Sequence, residues 1–265
     1  MLIVNNAAKV GTIRCALFDF DGTISLLRRE WQQIMVDYVV DCVGGEFVGE
    51  NLRKEFAEYV KKTAGIATIV QMRGLAGFVR RYGNKRDVQS PQEYKKGYVK
   101  ALKQQVHENM KLALRDDAAK EKMLVPGARV FLEELRRRGI LLFLFSGTDH
   151  ADVEEEMEFL GVQTFFQGKV VGAQKSFRKS SKGALIRSVI LTHCSRPSDL
   201  LVTGDGPVEI KHGRRFGAIT LGIASNEFEH GKINVEKQDR LTNAGADVIV
   251  PDFSEYEKIV KYLFP

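Results

Sequence analysis

Apolar positions fall along this chain in two rhythms. Residues 13–18 are apolar except for Arg14, the pattern of a strand buried on both faces. From about Leu26 to Leu124 the spacing turns helical. Trp31, Ile34, Met35, Tyr38, Val39 and Cys42 form one stripe, ended by Gly44-Gly45. Leu52, Phe56, Tyr59 and Val60 mark a second helix. Ile66, Ile69, Val70, Met72, Leu75, Phe78 and Val79 mark a third, ended by Gly83-Asn84. Ser90-Pro91-Gln92-Glu93 is a capping box with proline at the first helical position, so a fourth helix starts there and carries Tyr94, Tyr98, Leu102, Val106 and Met110. Nothing strand-like interrupts this span.

After Pro126-Gly127 the rhythm alternates. Val130, Phe131, Leu132 and Leu135 predict an amphipathic helix with Arg136, Arg137 and Arg138 in its last turn and Gly139 as its cap. A uniformly apolar strand follows at 140–145 and stops at Ser146-Gly147-Thr148-Asp149. A helix is expected at 153–160, a short strand at Phe165 and Phe166, a basic polar loop at 167–181 and a helix from Lys182. Further strands are expected at 199–203, 218–223 and 246–250, with a short helix through Ile210 and Arg214 and a closing helix at 253–263. Residues 1–12 read as a frayed or edge segment. Strand–helix alternation of this kind predicts an α/β fold, a doubly wound parallel sheet. The expected division is a core of residues 1–25 and 125–265 with an inserted all-helical cap at 26–124.

The first strand ends in Asp19-Phe20-Asp21-Gly22-Thr23: two carboxylates two residues apart, a glycine that permits a sharp turn, and a hydroxyl. Ligands of open α/β sheets bind beyond the carboxyl ends of the strands. There, one carboxylate can attack phosphorus and form an aspartyl-phosphate. The second can protonate a leaving oxygen and later deprotonate water. An oxygen-only site of this kind suits Mg2+. Ser146, Lys182 and the pair Asp205/Glu209 also lie at strand ends or a helix start, so a parallel sheet can bring them to the same edge.

This set resembles the haloacid dehalogenase superfamily, in particular its phosphoglycolate phosphatase-like and β-phosphoglucomutase-like members with a helical cap after the first motif. The resemblance runs through FDFDGT, the helical insert, PG plus helix, LFLFSGT, a lysine, VTGDGPVEI and ADVIVPDFSE. It implies that Asp19 is the nucleophile and that Asp21 is the acid/base, lending its backbone carbonyl to the metal. Ser146 and the Gly147 amide would hold phosphoryl oxygens, and Lys182 would bridge nucleophile and phosphate. Lys175, Arg178 and Lys179 compete for that last role, but Lys182 opens a helix after two serines. Asp205 would ligate Mg2+, with Glu209, in place of the more usual Asp, as a direct or outer ligand. Asp21 also separates the chain from dehalogenases, which attack carbon without Mg2+ or this acid.

The resemblance thus implies a Mg2+-dependent phosphatase acting on a small phosphorylated metabolite, with a sugar phosphomutase as the alternative. A non-catalytic regulator binding nucleic acid through the basic loop is the third reading. It expects aromatic side chains interleaved for stacking, and only Phe177 offers one. Arg28, Arg29 and Arg73 are candidates for a second anionic group of the substrate.

Composition adds little to this. A net charge of +6 and a pI near 9.1 suit an anionic ligand or a basic surface alike. Cys15, Cys42 and Cys194 are too scattered for a disulfide or zinc framework and read as thiols in a reducing compartment. The first 20 residues lack a signal-peptide pattern and no apolar run is long enough to span a bilayer. A cytoplasmic protein with no membrane and no nucleic-acid partner is the expectation. The oligomeric state is not legible.

Overall fold

In the computed structural model, the residues described are 1–5, 10–44, 48–64, 66–83, 87–167, 170–173 and 182–265. The chain divides into two compact units, Met1–Leu27 with Leu112–Pro265, and Arg28–Lys111.

The first unit is built on a seven-stranded sheet: β1 (Leu2–Ile3), β2 (Cys15–Asp19), β3 (Leu141–Asp149), β4 (Val170–Ala173), β5 (Leu200–Gly204), β6 (Ile219–Ile223) and β7 (Val248–Val250). Their order is β1-β7-β6-β5-β2-β3-β4. All pairs are parallel except β1 with β7, where Leu2 lies opposite Ile249. The chain runs outward from β2 through β3 to β4, then returns to β5 on the other side of β2. That reversal is the topological switch point at which open α/β sheets leave a crevice.

Period-two alternation sends the side chains of β2 to opposite faces. Cys15 and Leu17 pack with Phe143, Phe145, Ile186, Val189 and Val202, burying the apolar side of α8 (Lys182–His193). Phe18 points the other way, edge-on to Phe131 of α6 (Ala128–Arg137) and to Phe166, with ring centroids 6.2 Å apart in each pair. Phe131 stacks in turn on Phe253 at 4.8 Å. The remaining helices of this unit are α5 (Asp117–Glu121), α7 (His150–Leu160), α9 (Pro207–Phe216), α10 (Val235–Ala244) and α11 (Tyr256–Leu263).

The second unit holds α1 (Trp31–Val43), α2 (Glu50–Lys62), α3 (Thr68–Tyr82) and α4, which begins at Pro91 and runs on to Ala113. Their stripes meet in one core of Met35, Val39, Phe56, Val60, Met72, Leu75, Val79, Tyr94, Tyr98 and Leu102. The capping box at α4 is closed in both directions: the Ser90 amide donates to Glu93 Oε2 at 2.8 Å, and the Glu93 amide to Ser90 Oγ at 3.3 Å.

Several sequence expectations need correction. Phe165 and Phe166 do not form a strand. Gly161 ends α7 in the left-handed region (φ 67°), and residues Gln163–Phe165 coil into a 3-10 turn that drives both rings into the core. The strand of that region is β4, four residues later. Val130 is 40% exposed and takes no part in the buried face of α6. β3 runs past Phe145 to Asp149, with a shift of register against β4. Neither α5 nor α10 was expected, since both are short and polar. Gly45, Asn84 and most of the basic loop, including Lys169, Lys175, Phe177, Arg178 and Lys179, lie outside the described residues. Among the described residues no helix is long and apolar enough to cross a membrane, and the three cysteines carry reduced thiols.

Phe131 is fully buried between Phe18 and Phe253. Phe131→Ala is expected to lower the unfolding free energy by ~3–5 kcal/mol, as large-to-small changes at packed aromatic sites do. Urea unfolding followed by circular dichroism measures it.

Candidate active site

The registry of the sheet decides what meets at its edge. Asp19 is the last residue of β2 and lies opposite Phe145, so Ser146 is the next residue outward on β3. Phe18 lies opposite Thr203, so Gly204 and Asp205 emerge from β5 at the same height. Parallel strands thereby bring residues more than a hundred positions apart to one edge.

Lys182, the first residue of α8, is 7% exposed. Its Nζ lies 2.8 Å from Asp19 Oδ2 and 2.8 Å from Glu209 Oε2, with the Phe145 ring 5.5 Å beneath. Glu209 stands in the first turn of α9, and its Oε1 accepts a bond from the Gly206 amide at 2.8 Å. A Cβ on Gly204 would fall 2.3 Å from that carboxylate, so the glycine makes the space it fills. Gly22 acts likewise for Asp205. Its φ of +73° suits glycine, and a Cβ there would fall 2.3 Å from Asp205 Oδ2.

Asp21 faces β3. Its Oδ2 accepts from Ser146 Oγ at 3.0 Å and from Thr148 Oγ1 at 2.8 Å. The Thr148 amide donates back to Ser146 Oγ at 3.0 Å. Ser146 is fully buried, and the neighbouring Gly147 is exposed. Thr148 was missed in the sequence, although it stands in the same SGT triplet and its hydroxyl follows Ser146 on the same side of the extended strand.

A larger omission is Lys237. It lies on α10, is 5% exposed, and its Nζ contacts Asp205 Oδ2 at 2.8 Å and Glu227 Oε1 at 3.2 Å. It also donates to Ser225 Oγ at 3.3 Å, and Ser225 donates to the Gly22 carbonyl at 3.0 Å. The one sequence signal was Asn234, which caps α10 by accepting from the Lys237 amide and so marks a helix there.

The electrostatics follow from crowding. Burial pushes the Asp19 carboxyl well above its ordinary range, and Glu209 and Asp205 push the same way against the pull of Lys182. For Lys182, burial works against charge, yet Asp19 and Glu209 outweigh it and raise its affinity for the proton. Lys237 behaves alike, with Asp205 and Glu227 outweighing burial. Asp19, Asp205 and Glu209 offer carboxylate oxygens that all lie within 4.8 Å of one another. A set of hard oxygens, still short of positive charge with a lysine among them, fits a small divalent cation. The carboxylate of Asp21 is not one of the three. Of the four candidate cations for the Asp19 position, Lys182 contacts it, and Lys175, Arg178 and Lys179 lie outside the described residues. Arg28 is buried, Arg73 is exposed, and Arg29 donates to Asn109 within the helical unit at 3.4 Å.

The family model for haloacid dehalogenase-like hydrolases matches residues 13–217. No curated protein sequence matches the chain. Among solved structures, a phosphonoacetaldehyde hydrolase-like protein from Oleispira antarctica has a TM-score of 0.70 at 16% identity, covering 100% of this chain and 96% of its own. A predicted phosphoglycolate phosphatase from Haemophilus somnus 129pt has 0.63 at 17% identity, covering 94% and 98%. A β-phosphoglucomutase from Clostridium difficile has 0.63 at 15% identity, covering 95% and 97%. At these identities the likeness is one of fold.

Lys182→Met leaves two buried carboxylates facing one another. It is expected to cost ~3–5 kcal/mol of unfolding free energy, the range for removing one partner of a buried ion pair. Adding Asp19→Asn and Glu209→Gln should recover most of the loss. Urea unfolding of the single and triple variants tests both statements.

Proposed function

Because the chain belongs to the haloacid dehalogenase-like hydrolase family, we propose that it is a Mg2+-dependent phosphatase hydrolysing a small phosphorylated metabolite through an aspartyl-phosphate on Asp19. The observation that carries this reading is the bridge of Lys182 between Asp19 and Glu209, with Asp205 completing a compact oxygen set.

Asp19, Asp205 and Glu209, with the Asp21 carbonyl that the resemblance implies, would hold Mg2+, which when bound supplies charge neutralisation between the substrate phosphate and these carboxylates. The remaining work belongs to the chain itself. Asp19 attacks phosphorus, and the phosphoester bond to the leaving oxygen breaks. Asp21 gives that oxygen a proton. It then takes a proton from the water that attacks the aspartyl-phosphate, and the bond from Asp19 to phosphorus breaks to release inorganic phosphate. Ser146 and Thr148 aim Asp21 by donating to its Oδ2. Lys182 offsets repulsion between the phosphate and Asp19. The Gly147 amide is the group assigned to the phosphoryl oxygens, and Ser146 joins it when its one hydroxyl proton turns from Asp21 to the phosphate. Such catalysis is chiefly positioning and electrostatics. The helical insert is assigned the role of a cap that excludes water and supplies specificity. The reading sets the enzyme in the cytoplasm with a metabolite as its partner.

The test is phosphate release from a panel of phosphorylated metabolites with Mg2+ and with chelator. Asp19→Asn should abolish turnover, and Asp21→Asn should slow it by roughly 10²–10⁴, the usual share of acid/base help. Wild-type turnover from Asp19→Asn, once deamidation and contaminating phosphatase are excluded, overturns the nucleophile assignment. A sugar 1-phosphate converted to its isomer, with no phosphate released, would mark a phosphomutase instead.

A further inference from the structure

Two buried ammonium groups stand at the carboxyl edge of the sheet, and the reaction above uses one of them. The other, Lys237, touches no group assigned to the chemistry except Asp205. A lysine this deep is costly unless it is paired. Salt bridges far from the site would serve for that, yet the pair chosen is a candidate metal ligand.

Asp205 is held from two directions. The backbone of Gly22 closes on it so tightly that a Cβ would clash with Oδ2. Lys237 takes the same Oδ2 at 2.8 Å. With one oxygen occupied, the torsion of the carboxyl group is set and the position of Oδ1 is set with it. The clamp is tied to the first motif as well: Lys237 donates to Ser225, and Ser225 donates to the carbonyl of Gly22. The turn that follows Asp21 and the side chain of Asp205 are thus fixed relative to each other by one network.

Glu227 completes the argument. A bare ammonium next to a cation site would repel the cation. Here the same Nζ lies 3.2 Å from Glu227 Oε1, so the Lys237–Glu227 pair is neutral as a unit and orients Asp205 with little opposing field.

We propose that Lys237 is a positioning residue that presets Asp205 for Mg2+. This rests on the Mg2+ reading of the site given above. Mg2+ demands near-octahedral geometry at short distances, so a ligand already in place lowers the reorganisation its binding requires.

The experiment is calorimetric titration of Mg2+ into the parent protein and its Lys237→Met, Lys237→Arg and Ser225→Ala variants, paired with steady-state kinetics at saturating Mg2+. Loss of an outer partner of a metal ligand typically weakens the metal by 10–100-fold, so Lys237→Met should raise the Mg2+ Kd by ~10-fold. The substrate KM should stay unchanged once Mg2+ is saturating. Lys237→Arg should restore most of the affinity, because a guanidinium reaches both carboxylates. Binding by Lys237→Met that is equal to or tighter than that of the parent overturns the proposal, and tighter binding is what simple charge repulsion predicts. Should Lys237→Met not fold, Ser225→Ala decides: a weaker Mg2+ Kd supports the network and an unchanged one overturns it. No Mg2+ binding by the parent protein would overturn the metal reading together with this one, whereas normal binding by parent and variants alike overturns this one alone.

Discussion

Like charge confined to a small volume governs this structure. Asp19, Asp21, Asp205, Glu209 and Glu227 stand around one edge of the sheet, most of them screened from solvent. Two carboxylates 4 Å apart repel by ~4 kcal/mol at an effective dielectric constant near 20. Folding brings them together only because positive charge is brought with them. Lys182 is placed between Asp19 and Glu209, and Lys237 between Asp205 and Glu227. Each lysine divides a pair, and two hydroxyls quiet the fifth carboxylate.

The fold's contribution is registry. Because β2 lies at the switch point with β3 on one side and β5 on the other, its final residue is flanked by two strand ends at the same height. Helices α8, α9 and α10 then begin or pass beneath that edge, and each delivers one charged group: Lys182 first in its helix, Glu209 and Lys237 each third in theirs. A carboxylate in a first helical turn faces the positive end of the helix dipole, which favours an acidic side chain at the place Glu209 takes.

Much of this was legible in the sequence, and the unread part has a common cause. The core strands and cap helices showed because buried periodicity is a local signal. The first motif showed because its chemistry sits in five consecutive residues. Lys182 stood out by opening a helix. Lys237 did not, because it lies among Glu236, Gln238, Asp239 and Arg240, a polar run that reads as a solvated face. Its burial is imposed by Asp205 and Glu227, which are distant or in a turn, and no spacing rule reaches them. The Phe165-Phe166 doublet failed differently. Aromatic residues favour strands on average, but here a left-handed glycine had already turned the chain, and the rings serve the core from a 3-10 turn.

Glu209 shows how a departure from a pattern can be absorbed. An aspartate at that position would carry one methylene less. The longer arm reaches back to the Gly206 amide with one oxygen and forward to Lys182 with the other, while still lying within the oxygen cluster. The space it needs lies over Gly204, where any Cβ would collide with its carboxylate. Glutamate and glycine therefore form a matched pair five residues apart, one long where the other is absent. The same complementarity joins Gly22 to Asp205 across the sheet, so both carboxylates that β5 and α9 bring to the edge are seated against a backbone stripped of its side chain.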